Sequence, residues 1–364
     1  MLKTSAPGKV ILFGEHAVVH KNSRGEYCLG ISTAVDKRCY VEIEEERGGY
    51  ITVVSKNLGI EKSKTFEEVA ERIDNLRIMR SVGKDYESIK RVCGKHKLVP
   101  VYSVIDNIMM EACGLDIFDY EPVKITIDSE VPKGMGSSSS VCSATALAVT
   151  KYLEGKGKSF GDEYSLELLG KFANDGDMNA HGKASGIDAF TSTYGGWNTY
   201  TQDKGVKHLD IENEIPLVVV DTGKPARTDE TVGYLRNLRN EKPGIINLLL
   251  DKMDEISHRA LDLINKKADI NEIGKLFFEY YDVLRRIDEI PNEKGKVFFN
   301  IPEFERIVGI AKGNGFYAKP TGGWGGGICI ATGKNTDEIV NKYKREGFNC
   351  FKVKSEREGV RVES

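Results

Sequence analysis

The residues of this chain able to do chemistry sit in glycine-rich surroundings. Gly134-Met135-Gly136 runs into four serines at 137–140, and a small-residue helical pattern follows from about 142 to 153. A Gly/Ser loop at a helix N-terminus presents unbonded backbone N–H groups and the positive end of the helix dipole, which suits phosphate. The serine hydroxyls add hydrogen bonds or Mg2+ ligands; the alternative is an ordinary turn with a serine cap. Two more glycine clusters lie at Pro7-Gly8-Lys9 and at 322–327. A second constellation is Asp177 and Asp188, flanking His181, Gly182, Lys183, Ala184, Ser185 and Gly186. One carboxylate could hold a divalent metal while the other accepts a proton or orients a hydroxyl. The plainer reading of the pair is a solvated helix face and a cap.

The same spacings exclude several chemistries. The nearest approach to a G-x-x-x-x-G-K-[ST] loop, Gly176 to Gly182-Lys183, has five intervening residues and is followed by Ala184. Gly313, Gly315 and Ala318 fit a dinucleotide fingerprint in spacing, but they close a helical pattern and open a strand, the reverse of the required order. HExxH and GxSxG are absent, and His16, His20 and His181 lack metal-ligand spacing, so neither a zinc hydrolase nor a serine hydrolase is expected. The seven cysteines are odd in number and include no CxxC pair, which points to indifferent thiols in a reducing cytoplasm.

Composition narrows the class. Lys+Arg total 52 and Asp+Glu 55, a net charge of −3, so no nucleic-acid partner is expected. Hydrophobic residues make up 40% and charged residues 29% of the 364, enough for a real core. Thirty-eight glycines exceed the average of roughly 7%. No apolar run approaches the ~18–20 residues of a membrane span. The N-terminal run is broken by Gly14, Glu15 and His16 before a signal core forms. The expectation is a cytoplasmic protein with no membrane partner, and a homodimer stays open.

These groups need elements to hold them. Residues 3–13 read as a strand closed by Gly14, and 38–55 as a hairpin turning at Gly48-Gly49. Residues 64–98, with interleaved charges, read as a solvated helical excursion. The spacing predicts a helix over 101–112, a strand over 123–128 and a helix over 164–178. A buried strand follows at 215–221, then a long helical region from 228 to 290. The last third reads helix (303–312), strand (316–320), glycine turn, strand (328–332), helix (336–346) and strand (349–354). Strands and helices do not strictly alternate, so the class is α+β rather than a doubly wound sheet. Polar sequence near 200–215 divides the chain, giving expected domains 1–205 and 206–364.

Taken in order, these segments resemble the GHMP kinase superfamily, and within it the mevalonate kinase family. Residues 5–20 (SAPGKVILFGEHAVVH) are similar to its first motif and 132–140 to its phosphate-binding motif. Residues 181–188 with 192–196 resemble the catalytic-aspartate segment, Asp221-Thr222-Gly223 with Thr228 the acceptor segment, and 318–327 the third motif. The resemblance implies a two-domain fold, ribosomal-S5-like at the N-terminus and ferredoxin-like at the C-terminus, and ATP-dependent phosphorylation of a small alcohol. By position, Asp188 would be the base or charge partner of the hydroxyl and Lys9 its activator. Ser138 and Asp177 would ligate Mg2+. Lys133, Gly134, Met135, Gly136, Ser137, Ser138 and Ser139 would cradle the ATP phosphates. Glu15, His16, Thr228 and Gly323 would face the acceptor.

Three departures bear on the acceptor. The phosphate motif is two residues shorter than usual, Asp177 stands where Glu is usual, and Trp324 stands where Gly is ordinary. An indole at 324 either takes backbone room from the cleft or packs outward. A kinase acting on an already phosphorylated mevalonate is the alternative, with Lys21, Arg24, Arg227 or residues of 64–98 as the extra cations. An ATP-dependent decarboxylase fits less well with the intact 14–20 segment.

Overall fold

In the computed structural model, residues 1–81, 96–111, 122–158, 165–181, 185–211, 214–291 and 299–364 are described. The apolar run that ends in Val10-Ile11-Leu12-Phe13 lies in β1 (Leu2–Phe13), antiparallel to the long β2 (Gly30–Glu45). The expected 38–55 hairpin does not form. β3 (Tyr50–Ser55) pairs antiparallel with β4 (Ile60–Thr65), while β5 (Val123–Ser129) lies between β2 and β3, antiparallel to the first and parallel to the second. The physical reason lies in side chains. β5 buries Val123, Ile125 and Ile127 and suits an interior position, whereas β4 reads IEKSKT, a charged strand suited to an edge.

The large sheet runs β12-β1-β2-β5-β3-β4, where β12 is Arg361–Val362. β6 (Trp197–Thr201) adds to the other end of β2, and β7 (Gly205–Leu209) pairs with β6. A second, antiparallel sheet is ordered β11-β8-β10-β9, from β8 (Leu217–Asp221), β9 (Tyr317–Thr321), β10 (Ile328–Thr332) and β11 (Asn349–Val353). The tail beyond β11 returns to the first sheet. Arg38 donates to Gly359 O at 2.6 Å, and a Cβ on Gly359 would sit 1.9 Å from Thr193 O, so only glycine fits there.

The helices of the first half are α1 (Phe66–Ser81), α2 (Val99–Glu111), α3 (Ser137–Gly155), α4 (Leu166–His181) and α5 (Ile187–Tyr194). α3 begins five residues before the expected start near 142, because the serines form its first turn rather than a loop. Ala144, Ala146 and Ala148 are fully buried, which lets α3 lie close on β1, where Thr4 Oγ1 donates to Ala144 O at 2.8 Å. α1 is not wholly solvated. It buries Val69, Ile73 and Leu76, and Arg72 holds Asp106 of α2 through two bonds of 2.6 Å. Residues 82–95 of the expected excursion lie outside the described residues.

The long helical region is three helices, α6 (Thr228–Glu241), α7 (Pro243–Asn265) and α8 (Ile270–Asp288). Pro243 opens α7 at its first turn, where its missing N–H costs nothing. Asp269 caps α8 by accepting from Asn271 N at 2.8 Å. α9 (Pro302–Gly313) and α10 (Thr336–Arg345) complete the second half. Cys28, Cys39, Cys142, Cys329 and Cys350 are free and buried; Cys93 and Cys113 lie outside the described residues. No helix among the described residues is long and apolar enough to cross a membrane.

Candidate active site

α3 starts from Gly136 in the left-handed region (φ +72°), with no side-chain cap and no acidic residue in its first turn. Ser140 N donates to Gly136 O at 2.9 Å, so the N–H groups of 137–139 have no intrahelical acceptor. Ser138 Oγ is buried and has no partner among the described residues. Three N–H groups, an unpartnered hydroxyl and an uncompensated helix dipole make an anion cradle. Gly134 (φ +88°) packs on Ile328, and Lys133 is exposed while the Met135 side chain is buried.

Lys9 lies under this cradle. Its N–H donates to Met135 O at 2.9 Å, and a Cβ on Gly136 would press to 3.0 Å against its stem. Its ammonium is 2.7 Å from Asp188 Oδ1; the lysine is 3% exposed and the aspartate 35%. Asp188 stands in the first turn of α5, entered through Gly186 at φ +91°. The lysine is thus anchored along its length, and the carboxylate opens to the cleft.

Asp177 stands on α4. Its Oδ2 accepts from Ser139 Oγ at 2.8 Å, and Asp177 is buried. The shorter side chain therefore reaches the serine next to Ser138. A hydroxyl and a carboxylate at the cradle's mouth are hard oxygen donors, a set that suits Mg2+ held mainly by nucleotide phosphates. The site fits that ion without a dedicated cluster; among the described residues no group of three His, Cys, Asp or Glu converges.

Glu15, expected to face the acceptor, is a member of a buried ion pair. Glu15 is 2% exposed and its carboxylate pairs with Lys319 of β9, which is fully buried. Lys319 also lies over the rings of Phe13, Phe277 and Tyr280, at 5.7, 5.8 and 5.2 Å. Burial lowers its pKa from the ordinary lysine value, and Glu15 opposes that shift. Tyr280 Oη donates to Glu15 O at 3.0 Å. Lys319 lies within the 318–327 motif, but the resemblance assigns it no role of its own.

His16 follows at φ +63°, beside a single 3-10 turn at Ala17–Val19. It is buried, and neither ring nitrogen has a partner among the described residues. Its ring meets Phe299 at 5.1 Å and Trp324 at 6.2 Å, both edge-on. Trp324 packs inward, fully buried among Phe299, Phe304 and Tyr281 at φ +53°. It anchors the third glycine loop from below. Arg227 N donates to Trp324 O at 3.1 Å and Thr231 Oγ1 to Gly323 O at 2.8 Å, joining that loop to the start of α6. Gly326 (φ +146°) admits no side chain, since a Cβ would lie 2.0 Å from Pro225 O. Thr228 opens α6, and its side chain lies outside the described ones. A Cβ built on Gly322 would lie 3.8 Å from Gly134 O, so the two glycine loops are neighbours.

Burial, then His20 and Lys319, push His16 down to about 3, and burial with Arg239 and Arg236 pushes His20 down to about 4. His96 is lowered to about 4, chiefly by burial. Between those values and 6.5 the unfolded chain binds protons that the native one does not. Stability is therefore full above about pH 6.5 and falls as pH drops, by about 1 kcal/mol per pH unit for each of the buried His16 and His20 and by less for the half-exposed His96, where solvent screens the effect. Urea midpoints measured from pH 7.5 to 5 should fall accordingly. His16→Asn, whose side chain tolerates positive φ, should make the fall shallower; an unchanged slope would remove His16 from this account.

An anion cradle on a helix N-terminus, facing a lysine–carboxylate pair across glycine loops, is the layout of a small-molecule kinase. A family profile described as "GHMP kinases N terminal domain" matches residues 100–196. The mevalonate kinase of Pyrococcus furiosus is 30% identical over 363 residues, covering 99% of this chain and 97% of its own. The crystal structure of the Methanococcus jannaschii mevalonate kinase superposes with a TM-score of 0.72 at 24% identity, covering 97% of this chain and 98% of that one. An L. major mevalonate kinase in complex with R-mevalonate gives 0.71 at 24%, covering 98% and 96%. The chain belongs to the GHMP kinase superfamily, in its mevalonate kinase family, and is an ATP-using enzyme of that kind.

Proposed function

We propose that this enzyme transfers the γ-phosphoryl group of ATP to the hydroxyl of mevalonate in the cytoplasm. The observation that carries the reading is the 2.7 Å Lys9–Asp188 pair beside the unbonded N–H groups of 137–139. Phosphoryl transfer asks chiefly for positioning and charge neutralisation. The cradle receives the nucleotide phosphates, and Ser138 and Asp177 would hold Mg2+, which neutralises phosphate charge when bound. Asp188 orients the acceptor hydroxyl and takes its proton as the oxygen–phosphorus bond forms and the bond to the ADP leaving oxygen breaks. Lys9 steadies that carboxylate and the charge developing beside it. His16, Gly323 and Thr228 line the acceptor end, and Glu15 supports it through Lys319. The expected boundary at 205/206 falls at the start of β7, and β7 and β12 both belong to the first sheet, so residues of both halves of the chain contribute to the acceptor end.

The engaged cations favour mevalonate over a mevalonate phosphate. Arg24 pairs with Glu26 and Asp254, Arg227 with Glu230 and Gly325 O, and Lys21 lies over the Tyr27 ring. A second phosphate would have to break such contacts. An ATP-consumption assay with mevalonate, its 3-phosphate and its 5-phosphate in parallel tests this. Turnover of mevalonate alone is expected; an inert mevalonate beside a reactive phosphate ester would reverse the assignment.

A further inference from the structure

The end of the chain touches the elements that carry both members of the Lys9–Asp188 pair. From β11 in the second sheet, residues 354–364 cross back to the first. Lys354 O accepts from Asp36 N at 3.0 Å, and Glu356 N donates to Ala34 O at 3.0 Å, both on β2. Gly196 N, just past α5, donates to Glu356 O at 2.8 Å, and Val360 N donates to Thr193 O at 3.0 Å. β12 then pairs with β1 at Thr4 and Ser5. One segment thus grips the strand that carries Lys9 and the helix that carries Asp188.

α5 is short. Its eight residues span about 12 Å, and Asp188 stands about 7–8 Å from Thr193 along the axis. Sideways, α5 is tied to β2 by Ser32 Oγ and Thr191 Oγ1 at 2.7 Å. The carbonyls of a helix point along its axis, so the Val360 bond resists axial sliding, the displacement that would carry Asp188 past Lys9. Backbone approach here is at its limit. A Cβ on Gly359 would sit 1.9 Å from Thr193 O, and one on Gly195 2.3 Å from Arg357 O. The buried Arg38 takes the other side of the tail. It donates to Gly359 O at 2.6 Å, to Glu358 O at 3.1 Å and to Ser5 Oγ at 2.8 Å, and Glu356 Oε2 lies 3.5 Å away. The guanidinium fork therefore holds tail and β1 in one register, and Gly359 is fixed both at its carbonyl and at its Cα.

We propose that Arg38 and Gly359 are positioning residues for phosphoryl transfer: through residues 354–364 they set the place of Asp188 relative to Lys9. The inference rests on the reading of Asp188 as the proton acceptor. Transfer is sensitive to such placement, since about 1 Å of misplacement costs on the order of 10²-fold in rate. A methyl group on Gly359 must gain about that much room from Thr193 O, and the Arg38 bond to the Gly359 carbonyl sends part of the shift into α5. The phosphate cradle belongs to α3, which none of these bonds touches.

The test is a kinetic cycle on the full chain with ATP, Mg2+ and whichever acceptor turns over, at a temperature where circular dichroism shows the variants folded. Gly359→Ala should lower kcat about 10- to 100-fold, with the KM for ATP kept within about twofold. Arg38→Lys, which keeps the charge and loses the fork, should lower kcat in the same direction by a smaller factor. Introduced into Asp188→Asn, either change should cost nothing further, because a residue acting through Asp188 has nothing left to place. Losses that multiply in the double variants would overturn the inference. So would an unchanged kcat per folded molecule beside a lowered melting temperature, which would leave Arg38 and Gly359 as stability residues. A near-parental Asp188→Asn would instead overturn the catalytic reading, and the positioning role with it. If Gly359→Ala does not fold, Arg38→Lys and its double variant carry the same decision.

Discussion

Asp188→Asn lowers kcat by about 10²–10⁴-fold, the range that a positioned proton acceptor contributes. Asparagine keeps the shape of aspartate and still offers an oxygen to Lys9, but it carries no charge and takes no proton. The KM for ATP should stay close to the parent value, because the phosphate cradle is made by backbone N–H groups of 137–139 and by Ser138, none of which depends on Asp188. A KM-neutral, kcat-selective loss is what removal of a transition-state interaction looks like. Folding should suffer little. Lys9 is 3% exposed, but Asp188 is 35% exposed, so water can reach the ammonium's bonding position once the carboxylate is gone. Steady-state kinetics with ATP and mevalonate varied in turn decide the matter. Near-parental kcat in Asp188→Asn would take the base role from Asp188 and leave Lys9 and the helix dipole to carry the chemistry.

The parts of this site that sequence made legible are those carried by local chemistry. Lys9, Asp188 and the 134–139 loop each sit in a run that the family resemblance singles out, and the structure brings Lys9 to both of the others. The parts it hid depend on contacts distant along the chain. Lys319 reads as a stray lysine in β9 until Glu15, 304 residues away, is placed against it. β5 enters between β2 and β3 because an apolar strand outcompetes the charged β4 for the interior, a choice that only the whole sheet decides. The serines at 137–140 look like loop residues by propensity, yet the first turn of a helix needs no intrahelical acceptors for its N–H groups. Trp324 illustrates the same limit. Its type says that it is large and apolar; only the surrounding rings say that it faces inward and fastens the glycine loop.

Lys319→Met destabilises the protein by about 3–5 kcal/mol, the cost of leaving one member of a buried ion pair without its partner. That is a large share of the 5–15 kcal/mol typical of a folded domain. Both members are sealed, the lysine side chain fully and the glutamate at 1% exposure, so solvent cannot replace the missing charge. The methionine keeps contact with Phe13, Phe277 and Tyr280, which isolates the charge from the packing. Glu15→Gln should cost a comparable amount by stranding the ammonium among three rings. The double variant Glu15→Met, Lys319→Met should recover much of the loss, because well-packed apolar replacement of a buried pair is often neutral or better. Urea unfolding of the two single variants and the double closes the cycle. Activity should not follow stability. The pair links the turn after β1, which carries His16, to β9, which leads into the third glycine loop, and Thr321 Oγ1 bonds Ile11 O at 2.6 Å across the same junction. The double variant is therefore expected to regain its fold and keep a raised KM for mevalonate at an unchanged KM for ATP, since the apolar pair holds the halves together without fixing the angle between them. Full recovery of both would make the pair a stability device alone.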